Sequence, residues 1–287
     1  MATTMDQDLK NSYEEMAQDC ELGQQSDYDN QHNPARLYPI PRAGKRREID
    51  LDPAKLIFYG FDCWNHYEVS WLNTKGKPVV AVAVINYDCH SPCIIESKSL
   101  KLYFNSLNNS VFDNVHVVEA LVQKDLSLCI DSAVTVQIVP LAHFKNEAIA
   151  TAFDGICLDN LDIECSVYHV KSDFLECSAP VVEEVLYSDL LKSNCLVTNQ
   201  PDWGSVQISY RGRRIHHEGL LKYLVSFRNH NEFHEQCIER IFNDILTHCQ
   251  PEALTVKGRY TRRGGLDINP CRSTEPCAFE NVRLIRQ

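Results

Sequence analysis

The chain has no apolar run long enough to cross a bilayer and no basic, apolar leader at its start. A membrane span and a secretory signal are therefore not expected. It also has no excess of positive charge: 28 Lys and Arg stand against 39 Asp and Glu, a formal net charge of -11. Nonspecific binding to nucleic acid or to an anionic membrane depends on neutralising phosphates, so neither partner is expected. No Gly-x-Gly-x-x-Gly occurs, so a Rossmann dinucleotide site is not indicated. With no secretory signal, the 13 cysteines read as reduced thiols of a cytoplasmic protein and not as a disulfide framework. Large apolar side chains are scarce in residues 1–45, where Asp, Glu, Gln and Asn dominate, and a loosely held arm is expected there.

What remains is ample for a core. At 287 residues and 44% hydrophobic content, the chain fits one large domain or two ordinary ones. The spacing predicts strands at Tyr67–Leu72 and Val79–Ile85 with a hairpin loop, Asn73–Lys77, between them. Glu96–Tyr103 is dense in hydrogen-bonding groups and reads either as an amphipathic element or as a binding segment. Val111, Val115, Val118, Val122 and Leu126 predict a helix over 111–129, and a strand follows over 133–140. Residues 142–180 look strand-like with Asp-rich turns. Gln207–Tyr210 is a further strand, and Arg211–Arg214 reads as a basic turn. A second helix is expected from Asn231, a good N-cap, with Phe233, Cys237, Ile241, Phe242 and Ile245 as its buried stripe.

The chain also repeats itself. Tyr103, Ser106, Asn109, Glu119, Leu126, Cys129, Ala133, Thr135 and Val136 recur as Tyr223, Ser226, Asn229, Glu239, Leu246, Cys249, Ala253, Thr255 and Val256. No gap is needed, and the position matching His234 is Asn114. Self-similarity at so long a period means a duplicated domain and not a solenoid.

Three stretches carry chemistry. Cys195 sits among Lys, Ser, Asn, Thr and Gln, seven residues before Asp202, beside the turn-like Gln200-Pro201-Asp202. It reads as a nucleophile with a proton-handling partner, or as a small buried hydrophobe. Arg262-Arg263-Gly264-Gly265 suits a phosphate, with fork-like donors and an open backbone, or is an ordinary turn. Cys89-His90-Ser91-Pro92-Cys93 invites zinc, but no second Cys/His pair of matching spacing accompanies it, and no metal is expected.

Four motifs taken together resemble one family. Glu96-Ser97-Lys98-Ser99-Leu100-Lys101-Leu102-Tyr103 is similar to the signature of the NADPH-dependent nitrile reductases of queuosine biosynthesis, the 7-cyano-7-deazaguanine reductases. Ser193-Asn194-Cys195 through Asp202, Phe227 through Glu235, and Arg262-Arg263-Gly264-Gly265 resemble their other motifs, in family order. The resemblance spans roughly residues 50–287 and is to the long, two-module branch. It implies an α+β chain of two tandem tunnelling-fold modules, each an antiparallel sheet with helices on one face, and association into a homodimer. The expected division is an arm at 1–45, a first module at 46–141, a connector at 142–180 and a second module at 181–287.

The resemblance also implies roles. Cys195 would add to the nitrile and form a thioimide, Asp202 would act as general acid, and His234 would hold and protonate the intermediate. Ile95, Glu96, Ser97, Phe233, His234 and Glu235 would contact the 7-deazapurine. Ser97, Lys98, Arg263 and Gly264 would hold NADPH. Because the signature and the cysteine lie in different copies, neither module is expected to be active alone. Two rival readings are a zinc-dependent hydrolase resembling GTP cyclohydrolase, with Cys89, His90 and Cys93 as ligands, and a purine-binding module without catalysis.

Overall fold

The structure, a computed structural model, describes residues 28–143 and 149–287. It forms two compact units. Unit 1 extends to Pro53 and adds His66–Ile85 and the chain from Ser91 onward. Unit 2 holds Ala54–Asn65, Asn86–His90 and the C-terminal half. The unit boundaries thus fall inside two long strands, where separate blocks at 46–141 and 181–287 were expected. Among the described residues no helix is long and apolar enough to cross a membrane.

Unit 1 begins with a short 3-10 turn at Pro34–Arg36, then β1 (Pro39–Pro41) and α1 (Ala43–Arg47). It continues with the second half of β2 (Tyr59–Leu72), most of β3 (Pro78–Asp88) and β4 (Cys93–Ile95). Helices α2 (Ser97–Ser106) and α3 (Val115–Ile130) and strand β5 (Val134–Pro140) complete it. Of the expected arm, residues 1–27 lie outside the described residues. The remainder is tied down: β1 pairs with β4, Pro39 opposite Ile95. The Asn33 N–H donates to Ser106 Oγ at 3.0 Å, and His32 Nε2 lies 2.7 Å from Asp125 Oδ2. Helix α3 starts later than the valine spacing implied, because Asn114 is its N-cap. The Asn114 side chain accepts from the N–H groups of His116 and Val117. Val118, Val122, Leu126 and Ile130 form its fully buried face.

Unit 2 adds β6 (Ile149–Ala150), β7 (Ile156–Cys157), β8 (Cys177–Asn194) and β9 (Pro201–Ile215). Helices α4 (His217–Ser226) and α5 (His234–Cys249) follow, then β10 (Ala253–Tyr260), β11 (Leu266–Ser273) and β12 (Arg283–Leu284). Its strands run in the order β11-β10-β9-β8-β7, with the first half of β2 beside β11. β7 with β8 and β12 with β6 are parallel pairs, whereas β8–β9, β9–β10 and β10–β11 are antiparallel. The class is the α+β expected, and α5 packs on β9, β10 and β11. Gly60 lets β2 approach β11 closely, since a Cβ there would stand 2.0 Å from the Cys271 carbonyl oxygen.

Several local expectations are corrected. Residues 142–180 are mostly irregular, with β6, β7 and the start of β8 as their strands. Arg211–Arg214 is not a turn: β9 runs through it to Ile215, with Arg211 and Arg213 paired to Glu183 and Val181. Helix α5 is capped by Phe233 with no side-chain hydrogen bond, so Asn231 is not its N-cap. The buried stripe of Cys237, Ile241, Phe242 and Ile245 is present, while Phe233 is half-buried.

The duplication is also visible as structure: a hairpin, two helices and a returning strand, built once as β2-β3-α2-α3-β5 and again as β8-β9-α4-α5-β10. The gapless register is not kept throughout. Ser97 corresponds to His217, but α3 and α5 align as Val115 with His234 and Ile130 with Cys249. The buried hydroxyl bonds agree, Tyr103 to Asp125 and Tyr223 to Asp244. So do the left-handed C-caps, Asp131 at φ 50° and Gln250 at φ 47°. The second copy has one residue fewer before its helix and one more after it. The position matching His234 is therefore Val115, and Asn114 matches Phe233.

Two buried ionic clusters hold unit 2. Arg272 is fully buried and donates to Asp62 Oδ1 at 2.9 Å, Glu239 Oε2 at 2.8 Å and the carbonyls of Phe61 and Cys271. Glu232, 2% exposed, accepts from Arg240 Nη2 at 2.8 Å and Nε at 2.9 Å, with His230 Nε2 at 3.0 Å. Burial alone would raise the Glu232 pKa. The Arg240 charge, then the His230 and Arg240 hydrogen bonds, overcome it and hold the carboxyl at about 2.

Two outcomes are expected. Arg272→Ala leaves two buried carboxylates uncompensated and should cost about 3–5 kcal/mol in urea unfolding, because breaking a buried pair strands its partners. Glu232 has a depressed folded pKa, so its stabilisation is complete above its unfolded value near 4.5 and is lost as pH falls toward about 2. Glu232→Gln should be less stable than wild type at pH 7, and the gap should narrow across that window.

Candidate active site

The loop Cys195–Gln200 joins β8 to β9. The Cys195 N–H donates to the Gln200 carbonyl at 2.8 Å, and the Asn199 N–H donates back to the Cys195 carbonyl at 3.1 Å. The chain turns at Leu196–Thr198 and not at Gln200-Pro201-Asp202. Pro201 opens β9, a strand position where its missing N–H is tolerated. Asp202 lies in the ladder opposite Ser193. Strand alternation turns Asp202 inward, 5% exposed, and leaves Trp203 39% exposed. Cys195 is buried to 6% exposure, although a nucleophile was expected to be partly open.

Arg263 and His234 meet the Asp202 carboxylate. Arg263 Nη1 donates to Asp202 Oδ1 at 2.5 Å. His234 Nε2 lies 3.7 Å from the same oxygen, in the first turn of α5, with its ring edge-on to Tyr260. Arg263 is placed by a two-residue hairpin. Its N–H donates to the Leu266 carbonyl at 2.8 Å, and Gly264 and Gly265 take φ of 58° and 73°. Positive φ at both central positions is what such a turn demands, and glycine supplies it without strain. The Arg263 side chain remains 28% exposed. Phe233 caps α5, and Glu235 in its first turn is 1% exposed.

In unit 1, Ile95 ends β4 and Glu96 caps α2. The Lys98 N–H donates to Glu96 Oε1 at 2.7 Å and the Ser99 N–H to Oε2 at 2.6 Å. Burial raises the Glu96 pKa and those two N–H groups oppose it. The carboxylate that the motif suggested for a base edge is thus also the helix cap, and its second lone pairs are what a ligand would use. Ser97 and Lys98 are half-buried in the first turn. The structure therefore brings Asp202, His234 and Arg263 together within unit 2, with Cys195 in the loop that closes the same β8–β9 hairpin, and it places Ile95, Glu96, Ser97 and Lys98 at the start of α2 in unit 1.

The metal-like stretch gathers Asp88, Cys89 and His90, without Cys93. His90 Nδ1 lies 2.7 Å from Asp88 Oδ1, and burial pushes the Cys89 thiol up to about 12. Burial pushes the Cys63 and Cys237 thiols up to about 12 as well, which keeps them protonated packing groups.

Sequence reasoning counted the segment that holds the cysteine loop among the motifs but gave Asn231 a different task, that of N-cap. Asn231 Nδ2 donates to the Cys195 carbonyl at 3.2 Å and to Asn199 Oδ1 at 3.0 Å. His230 and Glu232 flank it and bond the end of β8: the Asn194 N–H donates to the His230 carbonyl at 2.8 Å, and the Glu232 N–H to the Asn194 carbonyl at 3.1 Å.

Comparison with known proteins agrees with these motifs. The family described as nitrile reductase, 7-cyano-7-deazaguanine-reductase N-term, matches residues 28–138, and the QueF-like protein family matches residues 201–277. The NADPH-dependent 7-cyano-7-deazaguanine reductase of Legionella pneumophila (strain Corby) is 72% identical over 285 residues, 99% of this chain and 100% of that one. The protein of the same name from Dechloromonas aromatica (strain RCB) is 55% identical over 268 residues, 93% of this chain and 94% of that one. The archaeosine synthase QueF-Like in its apo form covers 35% of this chain at 17% identity and a TM-score of 0.30, too weak a likeness to argue from. With identity this high along the whole of both chains, and with both family matches in module order, the chain belongs to the 7-cyano-7-deazaguanine reductase (QueF) family.

Proposed function

We propose that this chain reduces the nitrile of 7-cyano-7-deazaguanine to the primary amine of 7-aminomethyl-7-deazaguanine, a four-electron step of tRNA queuosine biosynthesis that consumes two NADPH. The observation that supports the reading is Arg263 and His234 gathered on Asp202, on the hairpin whose loop carries Cys195, in a chain 72% identical to a reductase so named.

The Cys195 thiol gives its proton to Asp202 as its sulfur adds to the nitrile carbon, and Asp202, as general acid, passes that proton to the nitrogen, giving a covalent thioimide. NADPH supplies the two hydrides that reduce this carbon. Between them the carbon–sulfur bond breaks, the thiolate leaves and an imine remains. His234 holds the nitrogen and hands it protons as it becomes an amine. The base edge offers adjacent N–H groups that a carboxylate accepts in a two-point contact, and Glu235 and Glu96 are the candidates for it. Ile95, Ser97 and Phe233 flank the ring, and Phe233 excludes the water that would hydrolyse the thioimide.

The residues suit the cofactor. A two-glycine turn with positive φ leaves open backbone beside Arg263, whose guanidinium is only partly covered. Arg263 and Lys98 would meet the phosphates, with Ser97 and Gly264 beside them. The working form would be a cytoplasmic homodimer, with the small-molecule base as its ligand and neither nucleic acid nor membrane as a direct partner.

Substrate added without NADPH should raise the intact mass by one ligand per chain, and Cys195→Ala should abolish the increase. An adduct that persists in Cys195→Ala overturns the assignment. Arg263→Ala should weaken NADPH binding by at least tenfold more than NADH binding, a difference of about 1.4 kcal/mol or more. Equal losses would mean that Arg263 serves Asp202 and not the 2′-phosphate.

A further inference from the structure

The hairpin loops of the two modules have a common frame and different braces. In unit 1 the last residue of β2, Leu72, donates its N–H to the Ser110 carbonyl at 2.9 Å and accepts from the Phe112 N–H at 2.9 Å. In unit 2 the last residue of β8, Asn194, makes the same two bonds with His230 and Glu232. Val111 and Asn231 are the residues between, each in a parallel bridge with its strand end. The next residue closes the loop in both: the Asn73 N–H donates to the Lys77 carbonyl at 2.9 Å, and the Cys195 N–H to the Gln200 carbonyl at 2.8 Å. Cys195 therefore stands where the first module has Asn73.

Asn73 does something there that cysteine cannot. Its Oδ1 accepts from the N–H groups of Lys75 at 2.9 Å and Lys77 at 3.0 Å, bracing its own loop from inside. A thiol is a poor substitute for that acceptor. In the second module the brace comes from outside. Asn231 Nδ2 ties the Cys195 carbonyl to Asn199 Oδ1, and Asn199 holds a left-handed φ of 55° at the far side of the loop. Val111, the counterpart of Asn231, is 58% exposed and has no amide to offer.

We propose that Asn231 is the positioning residue for the nucleophile: its amide replaces, from a neighbouring segment, the brace that the loop gave up when cysteine took its first position. Fixing the Cys195 carbonyl fixes the direction of its Cα–Cβ bond, and hence where the sulfur meets the nitrile. This rests on Cys195 being the nucleophile.

The test compares full-length wild type, Asn231→Asp, Asn231→Ala, Asn231→Gln and Cys195→Ala. Adduct formation without NADPH is timed by intact mass, alongside kcat, KM, NADPH affinity and the thermal midpoint. Asp is isosteric but has no donor for the two acceptors that Asn231 serves. Asn231→Asp and Asn231→Ala should slow adduct formation and kcat by about 10–100-fold, the scale of a small misplacement of reacting atoms. KM, NADPH affinity and thermal midpoint should stay near wild type, and Gln, which keeps the donor, should recover part of the rate. Adduct formation by Asn231→Asp at the wild-type rate overturns the proposal. So do equal losses in Asp, Ala and Gln that follow a fallen thermal midpoint, since that pattern marks a purely structural role. An adduct in Cys195→Ala overturns the nucleophile assignment instead, so the two failures are distinguishable.

Discussion

The end of β8 is held by two backbone hydrogen bonds to the segment His230–Glu232, and the placing of the Cys195 loop depends on that attachment. Without it, the loop that carries Cys195 would be tethered only by its own hairpin. The attachment is itself anchored. Glu232 is buried and stays ionised because Arg240 and His230 outweigh the cost of its burial. Removing either partner would strand a charge away from water, so the cluster resists local opening more than a neutral contact would. The same short segment therefore joins a rigid ionic anchor on one side to the cysteine loop on the other.

From that anchored loop the ladder leads directly to Asp202. Ser193 and Asp202 are opposite each other, so the register that fixes the cysteine also fixes the carboxylate seven residues on. Helix α5 then brings His234 to Asp202, and the Gly264-Gly265 turn brings Arg263. Three elements distant in sequence meet on one carboxylate. Arg263 was expected from its motif to serve a phosphate, and the structure gives it Asp202 as a partner. The guanidinium has five donors in a fork, and one of them suffices for the bond to Asp202.

Much of this was legible because the relevant signals are local. The β2–β3 hairpin, β5, the helices α3 and α5, the duplication and the four motifs could be read from spacing and residue type. What was not legible depended on choices that composition leaves open. Pro201 looked like turn chemistry, but a proline also suits the first residue of a strand, and the long β8–β9 ladder decided the matter. Asn231 looked like an N-cap, but the first residues of α5 lie beyond it and its amide is committed to the loop. The gapless repeat was misleading for a different reason. Identities at Glu119, Leu126 and Cys129 matched a register that the helices do not use. Inserting one residue after a helix, at Pro251, offsets losing one before it, and sequence identity alone cannot see the compensation.

The two modules show how one scaffold came to hold different parts of a reaction. At the start of the first helix, unit 1 keeps Glu96 as a side-chain cap, whereas His216 at the equivalent place in unit 2 makes no such bond. At the hairpin loop too, unit 1 keeps a self-bracing residue, Asn73, and unit 2 has Cys195 there instead. Unit 1 has retained its own local hydrogen bonds at both places, and at the loop unit 2 takes its brace from outside. A side chain that satisfies its own backbone is not wholly free to act on a ligand, and one that acts on a ligand leaves backbone groups to be satisfied by something else. Duplication relaxes that conflict, because a position that must stay structural in one copy is released in the other. Asn231 marks where the second copy met the resulting demand, with an amide drawn from a segment that the first copy fills with valine.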